Sequence, residues 1–446
     1  LPTLLIAITL LALGLRLYHI GVQDISGDDA VHSLRAIGYV DYTASKNTQT
    51  TPISWYDERQ WWQGLSFHDH PPLVFAVQWI VFKIFGVDAW TARLPFALVG
   101  TLAVFCMFFL ARQLFGTTAG IVSALTLALS NFALWISRIG FLDGFLVLWI
   151  ILSLYCFVQA TKRPVFYVWF GTALAAGILT KYTFLFILPA YAMTLLIWHR
   201  EAFKERWLYA GIGIFFLLIS PLIIYNTMMW QTRGHFDAAI STMVGLHPTD
   251  FNAVVRSVDT STGPLPILIT IVKTSSIGLM FLVLLGVCTS LYNFRTSIQA
   301  SRRDIFLLLF STFLAILGVS LIDGSARYVV VTLPFLALLV GYAVRWILQH
   351  ISSPVRIVAY VFLVMIALGE IFFSIQTQYL PTPWIHSKFV LGEPRPSFSG
   401  YALLEEYIDS YLQEYGGAPR GNPLASVPQL KVYVDEVLRK KHEKNP

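Results

Sequence analysis

Charged residues are scarce in this sequence. Only 13% of its 446 residues are Asp, Glu, Lys or Arg, whereas 56% are hydrophobic, and the mean hydropathy is +0.65. A soluble protein of this length carries about twice that fraction of charge, because its surface must face water. The composition therefore excludes an ordinary soluble protein and a disordered chain, and the surplus of apolar residues requires lipid.

Cysteine is also rare. Cys106, Cys156 and Cys288 all lie inside apolar runs, so the sequence has neither a disulfide framework nor the CxxC spacing of metal sites. The net charge of +6 is spread over short loops without a basic stripe or tail, which argues against nucleic acid as a partner. The G-x-G-x-x-G loop typical of nucleotide-binding folds is missing as well.

Long apolar runs fill most of the chain. A bilayer core of about 30 Å needs about 20 helical residues, and this criterion predicts about eleven spans. They lie near residues 1–19, 94–111, 117–137, 141–160, 165–180, 183–198, 207–228, 267–291, 305–322, 329–349 and 356–375. We therefore expect an all-α polytopic membrane domain over 1–375. A polar tail or partial domain with a small α/β segment follows over 376–446.

The segment 71–86 decides the topology. It is apolar, but its 16 residues include Lys83 and rise only about 24 Å as a helix. If it lies on the membrane surface, the basic loops all fall on one side, which the positive-inside rule identifies as the cytoplasm. We therefore predict an interfacial helix here. The first loop (21–93), a mobile loop (229–266) and the tail are then on the outer face.

The first outer loop contains two polar motifs. Asp28 and Asp29 precede an apolar helical pattern. Asp28 could serve only as a helix cap, or the pair could supply a general base or a metal ligand. Further on, HDHPPLVF places His68, Asp69 and His70 before two prolines that would begin the surface helix. The H-D-H spacing is unlike that of zinc-binding helices, so contact of His70 with a phosphate is the alternative to metal ligation.

An aromatic cluster lies between these motifs. It is either a membrane-interface belt or a platform that stacks on a sugar. Its members are Trp55, Tyr56, Trp61 and Trp62.

Two ionisable residues bracket a short predicted outer turn. Arg138 and Asp143 stand at the ends of SRIGFLD, between two spans. A structural ion pair would explain them, but ionisable groups at span ends line polar cavities more often than they face lipid. We therefore expect Asp143 to supply a second carboxylate opposite Asp28.

Two further cations fall on the same predicted face. Lys181 lies in GILTKYTF and Arg327 in DGSARYVVVTLPF. The Lys181 side chain could extend to lipid headgroups. Alternatively both cations hold a lipid phosphate, Lys181 as a point charge and Arg327 through a guanidinium that can bind phosphate with two N–H groups.

The order of these motifs resembles the GT-C superfamily of membrane glycosyltransferases. More narrowly, the sequence resembles the branch of protein O-mannosyltransferases and aminoarabinose lipid A transferases, over about residues 10–375. The motifs that carry it are the acidic pair, His-Pro-Pro-Leu at 70–73, Arg-Leu-Pro-Phe at 93–96, Arg-x-x-x-Leu-Asp at 138–143, Thr-Lys-Tyr at 180–182, and Ala-Arg-Tyr at 326–328 with Pro334 six residues after the Tyr.

The resemblance implies roles for individual residues. Asp28 matches the catalytic acid of the first loop, and Lys181 and Arg327 match cations that hold the carrier phosphate. This sequence departs from the family in having Asp-Asp where Asp-Glu is usual, and Val31 where Arg is often found. The predicted site comprises a catalytic group, Asp28, Asp29 and Asp143, and a substrate-binding group, His68, His70, Arg93, Arg138, Lys181, Arg327 and Tyr328.

The function that the resemblance implies is transfer of a hexosyl or pentosyl group from a polyprenyl-phosphate donor. The acceptor would be a protein, lipid or glycan on the outer face of a plasma membrane or bacterial inner membrane. Asp28 would act as general base in an inverting direct displacement. A divalent metal held by Asp28 and Asp143 is an additional option. The alternative function is a lipid-linked sugar flippase or transporter, although the sequence shows no internal repeat of the kind typical of transporters.

Overall fold

The computed structural model describes residues 1–22, 25, 27–38, 60–246, 248–249, 263–296, 299–322 and 326–380. Within these ranges the secondary structure is helical and contains no strand, which confirms the predicted all-α fold. The predicted α/β segment of the tail, from residue 381 onward, lies outside the described residues. Trp55 and Tyr56 lie outside them as well.

The α-helices in chain order are α1 (Pro2–Leu17), α2 (Asp28–Gly38), α3 (Leu73–Phe85), α4 (Ala89–Phe115), α5 (Thr117–Leu129), α6 (Asn131–Ile136), α7 (Asp143–Ala160), α8 (Phe166–Thr180), α9 (Leu188–Trp198), α10 (Arg206–Arg233), α11 (Ala238–Met243), α12 (Pro264–Lys273), α13 (Ile277–Thr296), α14 (Gln299–Ser320), α15 (Ala326–Val329), α16 (Leu333–His350) and α17 (Ser353–Gln378). Short 3₁₀ helices lie at Trp61–Leu65, Tyr182–Ile187, Arg200–Lys204 and Val330–Thr332.

Seven helical segments of the described chain are long and apolar enough to cross a membrane. They fall on α4, α7, α10, α13, α14, the run from Arg327 to His350, and α17. The other predicted spans, near 1–19, 117–137, 165–180 and 183–198, correspond to shorter apolar helices. The chain is therefore an integral membrane protein, and the total of about eleven spans stays a prediction.

One predicted span is interrupted. The apolar run 267–291 is divided into α12 and α13 by the residues Thr274 to Ser276. The Thr274 hydroxyl donates to the carbonyl of Ile271 at 3.0 Å, and Ser276 Oγ accepts from the backbone N–H of Leu279 at 3.2 Å. Hydroxyl side chains that bond to nearby backbone groups end one helix and begin the next.

The predicted interfacial segment forms α3, which begins directly after Pro71 and Pro72. Its 13 residues give a length of about 20 Å against a hydrocarbon core of about 30 Å, and its position on the membrane surface stays a prediction. Gln78 ties it to both neighbouring helices, because its side-chain amide donates to Ser33 Oγ on α2 at 3.1 Å and to the carbonyl of Ala92 on α4 at 2.7 Å.

The segment predicted as a mobile loop, 229–266, contains regular structure at both ends. α10 continues to Arg233 and ends at Gly234, which adopts a left-handed conformation with φ of 75°. α11 follows after a short turn, and α12 begins at Pro264. Residues 247 and 250–262 of this segment lie outside the described chain, so mobility there stays a prediction.

Candidate active site

The two adjacent aspartates of α2 have different environments. Asp29 is only 2% exposed, and its carboxylate accepts from Arg93 Nε at 2.9 Å, Arg93 Nη2 at 2.8 Å and the backbone N–H of Gly140 at 3.0 Å. Asp28 begins the helix with a side chain that is 40% exposed, and it forms an ion pair with Arg327. Asp29 is therefore positioned as a structural residue, whereas Asp28 is accessible to a substrate.

Gly140 receives hydrogen bonds at both of its backbone polar atoms. Its N–H donates to Asp29, and its carbonyl accepts from Nδ1 of the buried His32 at 2.8 Å. A β-carbon at position 140 would lie 2.2 Å from the Asp29 carboxylate oxygen, so only glycine fits. Burial, together with the nearby His70, holds the pKa of His32 well below its usual value. Sequence analysis missed both residues, although Gly140 lies inside the turn that it singled out.

The H-D-H motif is organised around Asp69. Its carboxylate accepts from Arg35 Nη1 at 2.8 Å and Nη2 at 3.1 Å, and its Oδ2 lies 3.1 Å from His70 Nδ1. Burial opposes ionisation of Asp69, but the charges of Arg35, His68 and His70 outweigh it and hold its pKa well below the usual value. Asp69 thereby orients the His70 ring, whose side chain remains 27% exposed.

His68 takes part through its backbone. Its side chain is 1% exposed. Its carbonyl accepts at 2.7 Å from the N–H of Ala238, which is the first residue of α11. The neighbouring Asp237 is buried, accepts from Asn226 Nδ2 at 3.0 Å and from the hydroxyl of Tyr182, and burial raises its pKa. These contacts hold the first loop, α10 and the Tyr182 segment together beside Lys181. No pattern in the sequence indicates this arrangement.

The second predicted carboxylate is paired with a predicted cation. Lys181 Nζ donates to Asp143 Oδ1 at 2.7 Å and Oδ2 at 2.8 Å, and both side chains are buried. The same ammonium lies 4.5 Å from the centre of the Tyr328 ring. Asp143 is therefore held by a local cation.

Tyr328 joins the two ion pairs. The Arg327 guanidinium carbon lies 4.9 Å from the ring centre, and Arg327 Nη2 donates to the Tyr328 hydroxyl at 3.1 Å. Lys181 and Arg327 thus approach one aromatic ring, each with its own carboxylate. The structure brings together five of the predicted site residues, Asp28, Asp143, Lys181, Arg327 and Tyr328.

Two arginines predicted to bind substrate have structural partners. Arg138 Nη1 donates to the carbonyls of Leu15 at 2.8 Å, Arg16 at 3.1 Å and Tyr18 at 2.7 Å, which caps the end of α1. Arg93, besides binding Asp29, donates from Nη1 to the carbonyl of Ile20 at 3.0 Å. Both side chains are buried and contact backbone carbonyls or a carboxylate, and a role of either in binding substrate stays a prediction.

The aromatic residues of the first loop that are described do not form one platform. Trp62 is buried and packs edge-on against Tyr225 at 5.4 Å, whereas Trp61 is exposed. Trp62 is therefore a core residue that attaches the first loop to α10.

The donor set fits a divalent metal poorly. Within the described ranges, no three His, Cys, Asp or Glu side chains gather in a way that could hold a metal ion. Asp28 and Asp143, the ligands considered from the sequence, each face a basic side chain. No step proposed below is therefore routed through a metal.

Comparisons with known proteins agree with this picture. Residues 69–225 match the family described as dolichyl-phosphate-mannose-protein mannosyltransferase. The protein named "Putative mannosyltransferase YycA" from Bacillus subtilis (strain 168) is 34% identical over 143 residues, which cover 31% of this chain and 21% of that protein. The match thus spans about a fifth of the length of this relative.

Solved structures share the fold. ArnT from Cupriavidus metallidurans bound to undecaprenyl phosphate matches with a TM-score of 0.58 at 15% identity, covering 82% of this chain and 63% of that one. Archaeal oligosaccharyltransferase AglB from Archaeoglobus fulgidus, with an inhibitory peptide and a dolichol-phosphate, matches with a TM-score of 0.56 at 15% identity, covering 94% and 61%. A second structure of the Archaeoglobus fulgidus oligosaccharyltransferase, in complex with Zn and sulfate, gives a TM-score of 0.53 at 16% identity, covering 94% and 59%. The GT-C fold predicted from the motifs is thereby confirmed.

Proposed function

We propose that this chain is a membrane glycosyltransferase that takes a sugar from a polyprenyl-phosphate-linked donor and passes it to an acceptor on the outer face. The observation that carries the proposal is the pair of cations at Tyr328, each held by a carboxylate on the same side of the fold. The family match to dolichyl-phosphate-mannose enzymes and the polyprenyl phosphates named in the ArnT and AglB structures support this donor class.

Lys181 and Arg327 provide the proposed phosphate site. A sugar linked to a polyprenyl phosphate is a phosphodiester with one negative charge. The departing polyprenyl phosphate is a monoester with a charge of about −1.5 to −2 at pH 7. Two cations bind the more negative group more strongly. They therefore stabilise the bond-breaking transition state more than the bound donor, which is the requirement for catalysis.

Asp28 is the proposed general base. Its partly exposed carboxylate begins α2 and is paired with Arg327. When the donor phosphate contacts Arg327, it competes for that guanidinium and releases Asp28 toward the acceptor.

The reaction balances at these groups. The acceptor hydroxyl oxygen attacks the anomeric carbon as its proton passes to Asp28, and the new glycosidic bond forms with inversion. The bond between the anomeric carbon and the phosphate oxygen breaks, and its electron pair leaves with the polyprenyl phosphate beside Lys181 and Arg327. His70, held by Asp69, is placed to contact the phosphate or the sugar.

The test measures loss of radiolabelled sugar from a panel of polyprenyl-phosphate sugars by the protein reconstituted in lipid. Wild type is compared with Asp28→Asn and Lys181→Ala. Glu201→Gln serves as control because Glu201 is an exposed carboxylate paired with Lys204 between α9 and α10. We expect turnover by wild type and control, and a loss of at least about a hundredfold in Asp28→Asn, the range for removal of a general base.

Two results would overturn the proposal. Undiminished turnover in Asp28→Asn would remove its role as base. Movement of the lipid-linked sugar across the bilayer without cleavage would favour the flippase function instead.

A further inference from the structure

A long apolar groove runs along the bundle, bordered by α5, α13, α16 and α17. Its volume is about 800 Å³. Most of its lining is aliphatic, including Ile121, Val122, Leu125, Leu282, Leu363 and Val364. α17 closes one side but is poorly covered by the rest of the described chain, with 11% of its membrane-spanning window buried. In a membrane, such a groove is filled by lipid chains.

One end of this groove is basic. Arg345 and Arg356 line it together with Gln349. Within the described residues neither arginine pairs with a carboxylate. The guanidinium of Arg356 donates from Nη2 to the carbonyl of Ile351 at 3.3 Å, while its buried Nε meets no acceptor. Two cations at the end of an apolar groove, paired with no carboxylate of the described chain, complement an anionic lipid headgroup.

The basic end is remote from the candidate active site. Arg345 follows Arg327 by 18 residues along a helical run that continues to His350, which places it about 27 Å away. The two sites therefore lie at opposite membrane faces, and the basic end belongs to the face predicted to be cytoplasmic.

The far end of the groove is lined by an acidic residue instead of a basic one. Glu370 lines it and accepts from the backbone N–H of Asn131 at 3.1 Å. It follows Arg356 by 14 residues on α17, a rise of about 21 Å. This end thus offers a carboxyl group and no cation among its described lining residues, so the end with Arg345 and Arg356 is the one that complements a phosphate.

We propose that the groove binds an anionic diacyl phospholipid, with its phosphate at Arg345 and Arg356 and its acyl chains along α5 and α17. The 13 residues of α5 extend about 20 Å, which exceeds the depth of one leaflet, about 15 Å. Basic pockets between transmembrane helices on the cytoplasmic side are known to recognise such headgroups. This site is separate from the proposed donor site and does not depend on glycosyl transfer.

The test is native mass spectrometry of the purified full chain in detergent, after addition of phosphatidylglycerol, phosphatidylcholine with the same acyl chains, or undecaprenyl phosphate. The variants are Arg345→Gln/Arg356→Gln, Leu363→Trp, which fills the groove, and Arg302→Gln as control. Arg302 is an exposed cation near the start of α14 that does not line the groove. Thermal unfolding of each variant shows whether it is folded.

We expect retention of phosphatidylglycerol by wild type and Arg302→Gln. We expect the double variant to retain phosphatidylglycerol at least about tenfold more weakly, because it loses two contacts with the headgroup. We expect Leu363→Trp to displace the lipid. Equal retention of phosphatidylcholine would overturn the anionic headgroup. Retention of undecaprenyl phosphate alone would assign the groove to the carrier. Unchanged phosphatidylglycerol binding by folded double and Leu363→Trp variants would place the lipid elsewhere.

Discussion

The Lys181 ammonium lies 4.5 Å from the centre of the Tyr328 ring, while the Arg327 guanidinium carbon lies 4.9 Å from the same centre. The electron-rich face of the ring attracts both cations and so offsets the repulsion between them. This arrangement concentrates positive charge where a phosphate is proposed to bind.

Replacement of Tyr328 separates the function of the ring from that of its hydroxyl. Tyr328→Phe keeps the ring and loses one hydrogen bond to Arg327, so we expect a two- to fivefold rise in donor KM, about 0.5–1 kcal/mol. Tyr328→Leu removes the ring, and we expect a rise of about tenfold or more. Steady-state kinetics with a polyprenyl-phosphate sugar measures both. Tyr292→Leu, on the exposed side of α13, should leave KM unchanged, and equal effects of Phe and Leu at position 328 would contradict a role for the ring.

The Lys181–Asp143 pair makes a prediction about stability. Lys181→Met leaves the buried Asp143 carboxylate without its cation, and we expect a loss of about 3–5 kcal/mol in the free energy of unfolding. The double variant Lys181→Met/Asp143→Asn should regain much of that stability but not the donor turnover. Thermal unfolding and sugar-release assays on the same preparations distinguish the two effects. Full recovery of turnover by the double variant would refute the phosphate role of Lys181.

Gly140 is predicted to tolerate no side chain. In Gly140→Ala the new methyl group would overlap the Asp29 carboxylate, so either the turn or α2 must shift, at a cost of about 1–3 kcal/mol. The matched control is Gly14→Ala, since that helical glycine has open space around it and alanine there should be neutral or slightly stabilising. Melting temperatures of the two variants provide the comparison, and equal values would contradict the tight contact.

The buried His32 predicts a pH dependence. Because its pKa is lowered in the folded protein, the unfolded chain binds a proton below about pH 6.5 while the folded chain does not. Stability should therefore fall as the pH decreases below 6.5, with a limiting slope of about 1.4 kcal/mol per pH unit, until the folded pKa is reached. His32→Gln should reduce this slope in chemical or thermal unfolding measured from pH 7.5 to 5. His350→Gln, at an exposed position, should not.

Composition and periodicity predicted the membrane fold well because lipid imposes long apolar helices with polar residues only at their ends. The interruption of the run 267–291 was not predicted. Hydropathy averages over the hydroxyls of Thr274 to Ser276, whereas the backbone responds to their local hydrogen bonds.

The sequence indicated which residues belong to the candidate site, but it did not indicate which of them pair with each other. Asp28, Asp143, Lys181 and Arg327 were recognisable as ionisable residues at span ends, but which carboxylate faces which cation depends on contacts across large sequence separations. For the same reason the structural contacts of Arg93 and Arg138 could not be predicted. Their partners are a buried carboxylate and carbonyl groups of the α1 end, which no local pattern reveals.

Asp29 is buried and Asp28 is partly exposed, and this difference fixes the rotation of α2 about its own axis. Neighbouring residues on a helix project about 100° apart, so when Arg93 and Gly140 hold Asp29 toward the bundle, Asp28 is aimed in one remaining direction, toward Arg327. The contacts of Asp29 thus determine the direction in which Asp28 points. A one-residue shift in the register of α2 would turn Asp29 toward Arg327 and put Ala30 in its place, so Arg93 would lose its carboxylate partner.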